Sequence, residues 1–146
     1  MFVIHRLDYL TEEIEEQYLE GDKEFAGESD KAWDAMHRAL SDGELTWDGG
    51  KYPCNHVVLG GELLYTDDDY IMSLKNPSQV RDISNAIEKI DIDDFRNKYF
   101  KIDPEDYGFE LTEEDFEYTW DWFQNVRQLY KRAADNNRFV LFTADQ

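Results

Sequence analysis

The chain has 146 residues, of which 41% are hydrophobic and 15% aromatic, and its 34 acidic and 15 basic residues give a formal net charge of −19. A chain of this length buries roughly 70% of the surface that its unfolded form exposes, and acidic disordered chains lack so many aromatic residues. We therefore expect one folded domain over residues 1–146. The negative charge argues against non-specific binding to nucleic acid or to anionic membranes, because both require a cationic surface.

The first third of the chain predicts one strand and two helices. Residues 2–4 are apolar and predict a short strand. Thr11 is a suitable N-cap for a helix with an acidic outer face and an apolar stripe at Leu10, Ile14 and Tyr18. Ser29 or Asp30 caps the second helix, which ends at Asp42-Gly43. Its buried stripe is predicted to contain Trp33, Met36, His37 and Leu40.

The middle third predicts two strands and two helices. Residues 56–61 form an apolar run closed by two glycines, which predicts a buried strand, and residues 70–74 predict another strand after a turn at Asp67-Asp68-Asp69. Asn76-Pro77 begins an amphipathic helix whose apolar positions are Val80, Ile83, Ile87 and Ile90. Asp91 caps a short helix that presents Ile92, Phe95 and Tyr99.

The last third predicts a long helix and a closing strand. The helix runs from about Thr112 to Ala134 and is apolar over a wide arc, so it is central to the fold or covers a partner. Asn136-Asn137 ends it, and residues 139–142 predict the strand. Because helices and strands do not alternate regularly, the pattern favours an α+β fold, a single domain with a small and partly antiparallel sheet packed with amphipathic helices.

Motifs for catalysis, cofactors and metals are absent from the sequence. It contains no phosphate-binding loop, dinucleotide fingerprint, nucleophile elbow, paired Cys-x-x-Cys or His-Glu-x-x-His. The acidic runs at 67–69 and 91–94 lack the glycine and the final glutamate of a calcium loop. The single Cys54 has no basic neighbours to make it reactive. We therefore assign no catalytic residue, no metal and no cofactor, and the chain is more consistent with a binding protein than with an enzyme.

One candidate binding site centres on a histidine in an apolar stripe. His37 lies four residues after Trp33, and His56 begins the apolar run that ends in two glycines. Glycine lets a ligand approach the backbone, and a histidine at the floor of a pocket has a pKa set by its surroundings. The alternative is a structural histidine at the edge of the core. The candidate residues are Trp33, His37, His56, Gly60, Gly61 and Tyr70.

A second candidate site is an acidic and aromatic surface near the carboxyl end. Residues 102–126 contain nine acidic residues and no basic one, interleaved with aromatic residues. Carboxylates steer a basic partner and aromatic rings anchor it. The alternative is that the rings face the core and the acids only keep the protein soluble. The candidate residues are Glu113, Asp115, Glu117, Tyr118, Asp121 and Trp122.

The location of the protein is predicted from what the sequence lacks. No apolar run approaches the ~20 residues that span a bilayer, and the amino terminus has no secretory apolar region. The lone cysteine suits a reducing compartment. We therefore expect a cytoplasmic protein.

The segment Asp30-Lys31-Ala32-Trp33-Asp34-Ala35-Met36-His37-Arg38-Ala39-Leu40 resembles the "DKxWxxxHxxL" helix of the YfbM-like family of uncharacterised bacterial proteins. The resemblance continues through Leu59-Gly60-Gly61, the Asn76 to Val80 helix start and the closing Val140-Leu141-Phe142 strand. It implies a compact bacterial α+β domain, and it supplies no established catalytic residues.

Two functions from different classes follow from these observations. The first is a non-enzymatic protein-binding module, similar to an immunity protein or an inhibitor, that engages a basic partner. The second is a small-ligand-binding protein or enzyme with a pocket around Trp33 and His37. Action through self-association is a third possibility, although a charge of −19 opposes close packing of two copies.

Overall fold

The computed structural model describes residues 2–5, 26–65 and 70–145. The helix predicted after Thr11 and the turn predicted at Asp67-Asp68-Asp69 lie outside these ranges. The described residues form five strands and five α-helices, so the predicted α+β class is confirmed. None of the helices in this part of the chain is both long enough and apolar enough to cross a lipid bilayer.

Five antiparallel strands form one sheet in the order β2-β1-β5-β4-β3. They are β1 (Phe2–His5), β2 (Ala26–Gly27), β3 (Glu62–Tyr65), β4 (Tyr70–Lys75) and β5 (Phe139–Asp145). The closing strand β5 is central because it pairs with β1 on one side and with β4 on the other. Its pairing with β4 is regular, from Tyr70 opposite Asp145 to Lys75 opposite Val140. Side chains of odd-numbered β4 residues therefore share one face of the sheet.

The helices begin and end where the sequence supplies the appropriate residues. They are α1 (Trp33–Leu40), α2 (Pro77–Glu88), α3 (Ile92–Tyr99), α4 (Pro104–Tyr107) and α5 (Glu113–Asp135). Asn76 and Gln79 form a reciprocal capping box at α2, whose first residue is proline. Asp91, Asp103 and Thr112 cap α3, α4 and α5 through their side-chain oxygens.

The core lies between the sheet and the helices, and α5 supplies much of it. Phe116, Phe123 and Tyr130 of α5 are buried, as are Val80, Ile83 and Ile87 of α2. The rings of Phe95 in α3 and Phe123 stack at 5.0 Å between centroids. On the sheet, Val140 and Phe142 of β5 belong to the same cluster. Burial of this amphipathic face is what holds the long helix in place.

Three sequence predictions differ from the structure. Residues 56–61 form no strand, because a 3-10 turn at Cys54–His56 leads into irregular backbone. The burial expected there is nevertheless present, since Val57 and Val58 have no exposed surface. Strand β3 was not predicted. Ile92 is 47% exposed because it begins α3 on the solvent side, so only Phe95 and Tyr99 face the core.

Candidate functional site

A long irregular loop, residues 41–61, connects α1 to β3 and passes into the core. We call it the 41–61 loop. Apart from its short 3-10 turn it has no regular secondary structure, yet Val57 and Val58 within it are completely buried. Buried backbone carbonyl groups need hydrogen-bond donors. Since no neighbouring strand supplies them here, the donors must be side chains.

Four buried side chains donate hydrogen bonds to carbonyl oxygens of the 41–61 loop. The donors belong to α1, β4 and α5, and all are fully buried. The pairs are His37 Nε2 to Thr46 at 2.7 Å, Tyr130 Oη to Val57 at 2.6 Å, Lys75 Nζ to Val58, and Ser73 Oγ to Gly60. The loop is therefore anchored from three directions by polar groups that would otherwise be costly to bury.

Lys75 at the end of β4 has the most unusual environment of the four. Its ammonium position is fully buried, and no carboxylate of the described residues pairs with it. Nζ also donates to Ser73 Oγ at 2.5 Å and lies 5.8 Å from the centroid of the Phe142 ring. Burial lowers the pKa of Lys75 well below its ordinary value. A neutral amine has two N–H groups, and both have an acceptor here.

His37 lies one turn after Trp33 in α1 and has no exposed surface. Because its Nε2 donates to a carbonyl, the neutral ring carries its proton there, and Nδ1 has no hydrogen-bond partner among the described residues. Burial is the main cause that lowers the pKa of His37, and the hydrogen bond with Thr46 opposes part of that shift. Trp33 packs on Phe142 at 5.7 Å between ring centroids. Both residues therefore face the core.

The structure brings most, but not all, of the predicted pocket residues together. His56 Nδ1 donates a hydrogen bond to Asn55 Oδ1 at 2.7 Å, and burial lowers the pKa of His56. Gly60 and Gly61 have φ angles of +81° and +79°, which favour glycine. Tyr70 begins β4 and lies on the opposite sheet face from Ser73 and Lys75, so it does not join the group.

The glycine pair fits closely over its neighbours. A Cβ atom at Gly60 would lie 2.9 Å from His56 Nδ1, and one at Gly61 would lie 2.4 Å from the carbonyl oxygen of Leu74. Lys75 Cγ is 3.6 Å from the same position. The glycines therefore let the loop lie directly against β4, which is a packing role.

Sequence reasoning did not identify Lys75. The available signal was its position two residues after Ser73, which puts both side chains on one face of a strand that is otherwise apolar. A lysine directly before a helix N-cap is expected to lie at a solvent-exposed strand end. Only the tertiary structure shows that the 41–61 loop covers Lys75.

The residues of the predicted acidic and aromatic surface divide into two groups. Asp115 accepts hydrogen bonds from the phenols of Tyr99 and Tyr107, the latter at 3.1 Å, and Glu113 pairs with Arg96. Hydrogen bonding and burial raise the pKa of both tyrosines. These two acids have partners within the protein, and Trp122 is half-buried.

The second group faces solvent on α5. Glu117, Tyr118 and Asp121 are exposed there, and so is Glu114, which the predicted set did not include. The spacing of these four residues puts them on one side of the helix. Tyr118 Oη donates to Asp30 at 2.5 Å, and its ring lies 6.4 Å from that of Trp122. Glu114 has no ion pair in the part of the chain that the structure describes.

The loop before α5 adds residues that the sequence-based set lacked. Phe109 is 67% exposed, the largest exposed fraction among the large hydrophobic residues described. It follows Gly108, which ends α4 at a φ of +82°. Glu105 and Glu110 line the same shallow depression of about 500 Å³ as Phe109. We call Glu105, Phe109, Glu110, Glu114, Glu117, Tyr118 and Asp121 the acidic-aromatic surface.

Metal and thiol chemistry find no support in the described residues. Within them, no group of three or more His, Cys, Asp and Glu side chains is arranged to hold a metal ion. Cys54 is half-buried, and burial raises the pKa of its thiol, which disfavours the reactive thiolate.

Comparisons with known proteins give a family but no activity. A family model described as "Domain of unknown function (DUF1877)" matches residues 3–143. The crystal structure of YfbM from Escherichia coli, a protein of unknown function, is similar with a TM-score of 0.59 and 21% identity, over 99% of this chain and 98% of that chain. No curated protein matches the chain. The resemblance to the YfbM-like family is confirmed.

Proposed function

This chain belongs to the DUF1877 family, a domain of unknown function, and we propose that it is a non-enzymatic protein-binding module that engages a basic partner. Its role would be that of an immunity protein or an inhibitor, and we expect it to act in the cytoplasm. The observation that carries the proposal is the acidic-aromatic surface, where an exposed ring at Phe109 stands beside carboxylates without ion pairs in the described part of the chain.

The distribution of satisfied and unsatisfied carboxylates supports this proposal. Some carboxylates have a partner within the protein: Glu113 forms an ion pair with Arg96, and Asp115 accepts hydrogen bonds from two phenols. Glu105, Glu110 and Glu114 have no such role within the described residues. Like charges held close together raise the energy of the isolated protein, and a cationic partner would relieve that repulsion.

Charge and aromatic residues would contribute differently to the complex. A net charge of −19 accelerates the approach of a basic protein at low ionic strength. Exposed aromatic rings supply the buried contact that slows dissociation. The acidic-aromatic surface contains both, with Phe109 before α5 and Tyr118 on it.

One observation favours the second function class, a small-ligand site around Trp33 and His37. Nδ1 of His37 is buried without a hydrogen-bond partner, and such a group is a reason to look for a ligand. Against it, Trp33 packs on Phe142 and the four side-chain donors already have acceptors in the 41–61 loop. The geometry supports an anchoring role better than a ligand site.

The proposal is tested by matched charge neutralisation. One variant carries E110Q, E114Q, E117Q and D121N on the acidic-aromatic surface. The control carries E44Q, E62Q, E88Q and D48N, which are exposed elsewhere and remove the same charge from the same residue types. Each protein is immobilised and exposed to lysate of the source cells at low salt and at about 0.5 M salt, where screening shortens to a few ångströms.

We expect wild type and the control to retain the same basic proteins at low salt, and the surface variant to lose them. High salt should release them from wild type and from the control. Equal retention by the two variants would assign any binding to overall charge, and retention of no basic protein by wild type would overturn the proposal.

A further inference from the structure

Two arginines of this protein are each held by an aromatic ring and a carboxylate together. Arg96 lies 5.0 Å from the ring centroids of Phe100 and Phe116 while its guanidinium pairs with Glu113. Arg38 lies 5.7 Å from the ring centroid of Tyr107 and pairs with Asp34 and Asp106. A guanidinium combines attraction to the ring face with hydrogen bonds to carboxylates.

A similar combination of an aromatic ring and carboxylates lies next to Tyr107, the ring that contacts Arg38. The Phe109 ring is 5.3 Å from the Tyr107 ring, centroid to centroid. Glu105 and Glu110 line the depression next to Phe109. Within the described residues, however, no arginine or lysine lies over this ring, and neither glutamate forms an ion pair.

We propose that Phe109, with Glu105 and Glu110, is the receptor for an arginine side chain of the basic partner. The inference rests on the proposed function and names the chemistry of its central contact. The guanidinium would lie on the exposed face of Phe109 and bond to one or both glutamates, as Arg38 does with Tyr107 and Asp106.

Arginine fits this arrangement better than lysine for a geometric reason. Its planar guanidinium stacks on a ring and still directs N–H groups to carboxylates at its edge, whereas an ammonium is a compact and strongly hydrated charge. The depression is shallow and open, so a guanidinium can lie on the ring while its aliphatic stem extends from the surface. Gly108, with a φ of +82°, directs the chain so that Phe109 stays exposed after α4 ends.

The test uses two labelled peptides that differ only in the cation, a decapeptide of alternating Arg and Gly and its Lys-Gly counterpart. Fluorescence anisotropy at low salt gives the Kd of each for wild type, F109A, F109L and the control I92A. Phe109 and Ile92 are both exposed, so none of these changes removes a core contact. F109L keeps apolar area but removes the ring.

We expect wild type and I92A to bind the Arg peptide about two- to fivefold more tightly than the Lys peptide, the range for an exposed cation–π contact. F109A and F109L should bring this ratio to about one. An unchanged ratio in F109A and F109L would overturn the arginine receptor. The proposed function would survive that result if the surface neutralisation variant still weakened both peptides more than its matched control did.

Discussion

The Nζ atom of Lys75 donates a hydrogen bond to the carbonyl oxygen of Val58, and both groups are buried. A lysine thus supplies a donor that a neighbouring strand would otherwise supply, and it does so without a carboxylate partner among the described residues. The cost is a pKa lowered well below the ordinary lysine value by burial. Together with the hydrogen bonds from Tyr130 and Ser73, this contact explains why residues 56–61 can be buried without forming a strand.

The substitution K75M should change how stability depends on pH. Burial lowers the pKa of Lys75 in the native state well below its ordinary value, while the amine of the unfolded chain binds a proton below about pH 10.4. Folding therefore releases a proton, and wild type gains stability as pH rises from 7 to 9.5, at most about tenfold in the equilibrium constant per pH unit. K75M lacks this gain. Urea unfolding of both proteins across that range measures the difference, and parallel curves would contradict a neutral Lys75.

The same substitution tests the anchoring role of Lys75 at fixed pH. Methionine leaves the carbonyl oxygen of Val58 and the hydroxyl of Ser73 without this donor, at a cost of about 1–3 kcal/mol for a buried polar group. That cost is offset because the amine no longer has to be neutralised, so the net loss at pH 7 should be smaller than at pH 9.5. Equal losses at pH 7 and at pH 9.5 would indicate a lysine that keeps its charge in the folded protein.

The sequence predicted those parts of the fold that are determined by residues close together along the chain. The capping box at Asn76 and Gln79 and the cap at Asp91 are complete within four residues, and both helix starts were predicted correctly. The burial of Val57 and Val58 was also predicted, but not their backbone conformation. That conformation depends on donors from Lys75 and Tyr130, which are distant along the chain.

The candidate sites show the same limit. Composition located the acidic and aromatic residues between 102 and 126, but it could not separate Asp115, which binds two phenols, from Glu114, which faces solvent. Helical periodicity put His37 on a buried stripe, and the structure agrees. Helical periodicity could not identify Thr46 as the hydrogen-bond acceptor for His37, because Thr46 lies in the 41–61 loop and not in the helix.

His37 should also produce a pH-dependent loss of stability, in a lower range. Burial holds its pKa below 6.5, so the unfolded state binds more protons as pH falls through that value, and native stability decreases. The hydrogen bond with Thr46 and the charges of Asp34 and Asp42 oppose this shift only in part. The H37Q variant should therefore lose less stability than wild type between pH 7 and pH 5, as measured by urea unfolding.

At pH 7.5 the variant H37A separates the two roles weighed for this histidine. If His37 anchors the 41–61 loop, the variant loses about 1–3 kcal/mol of unfolding free energy because Thr46 loses its donor and a buried ring is removed. An unchanged melting temperature would instead favour a ligand site.

Substitution of Gly61 and of Gly43, which both have a positive φ, should have unequal effects. G61A would put a Cβ atom 2.4 Å from the carbonyl oxygen of Leu74, whereas G43A meets nothing within 4 Å. Both variants lose the conformational freedom of glycine at positive φ, which costs about 1–2 kcal/mol. G61A must also move β4, so we expect it to lose at least about 2 kcal/mol more than G43A in thermal unfolding. Equal losses would mean that the 41–61 loop is not held tightly against β4.

Asp115 and Glu114 are adjacent acids on α5 with different predicted roles. Asp115 accepts from Tyr99 and Tyr107, and hydrogen bonds to a charged group contribute about 1.5–3 kcal/mol. D115N should therefore lower the unfolding free energy by about 2 kcal/mol, while E114Q, on the exposed side, should change it by less than about 0.5 kcal/mol.

Both variants remove one negative charge, so long-range attraction of a basic partner falls equally. A contact in the acidic-aromatic surface is lost only in E114Q, which should raise the Kd of the Arg-Gly decapeptide more than D115N does. A larger rise in Kd for D115N than for E114Q would remove Glu114 from the binding surface.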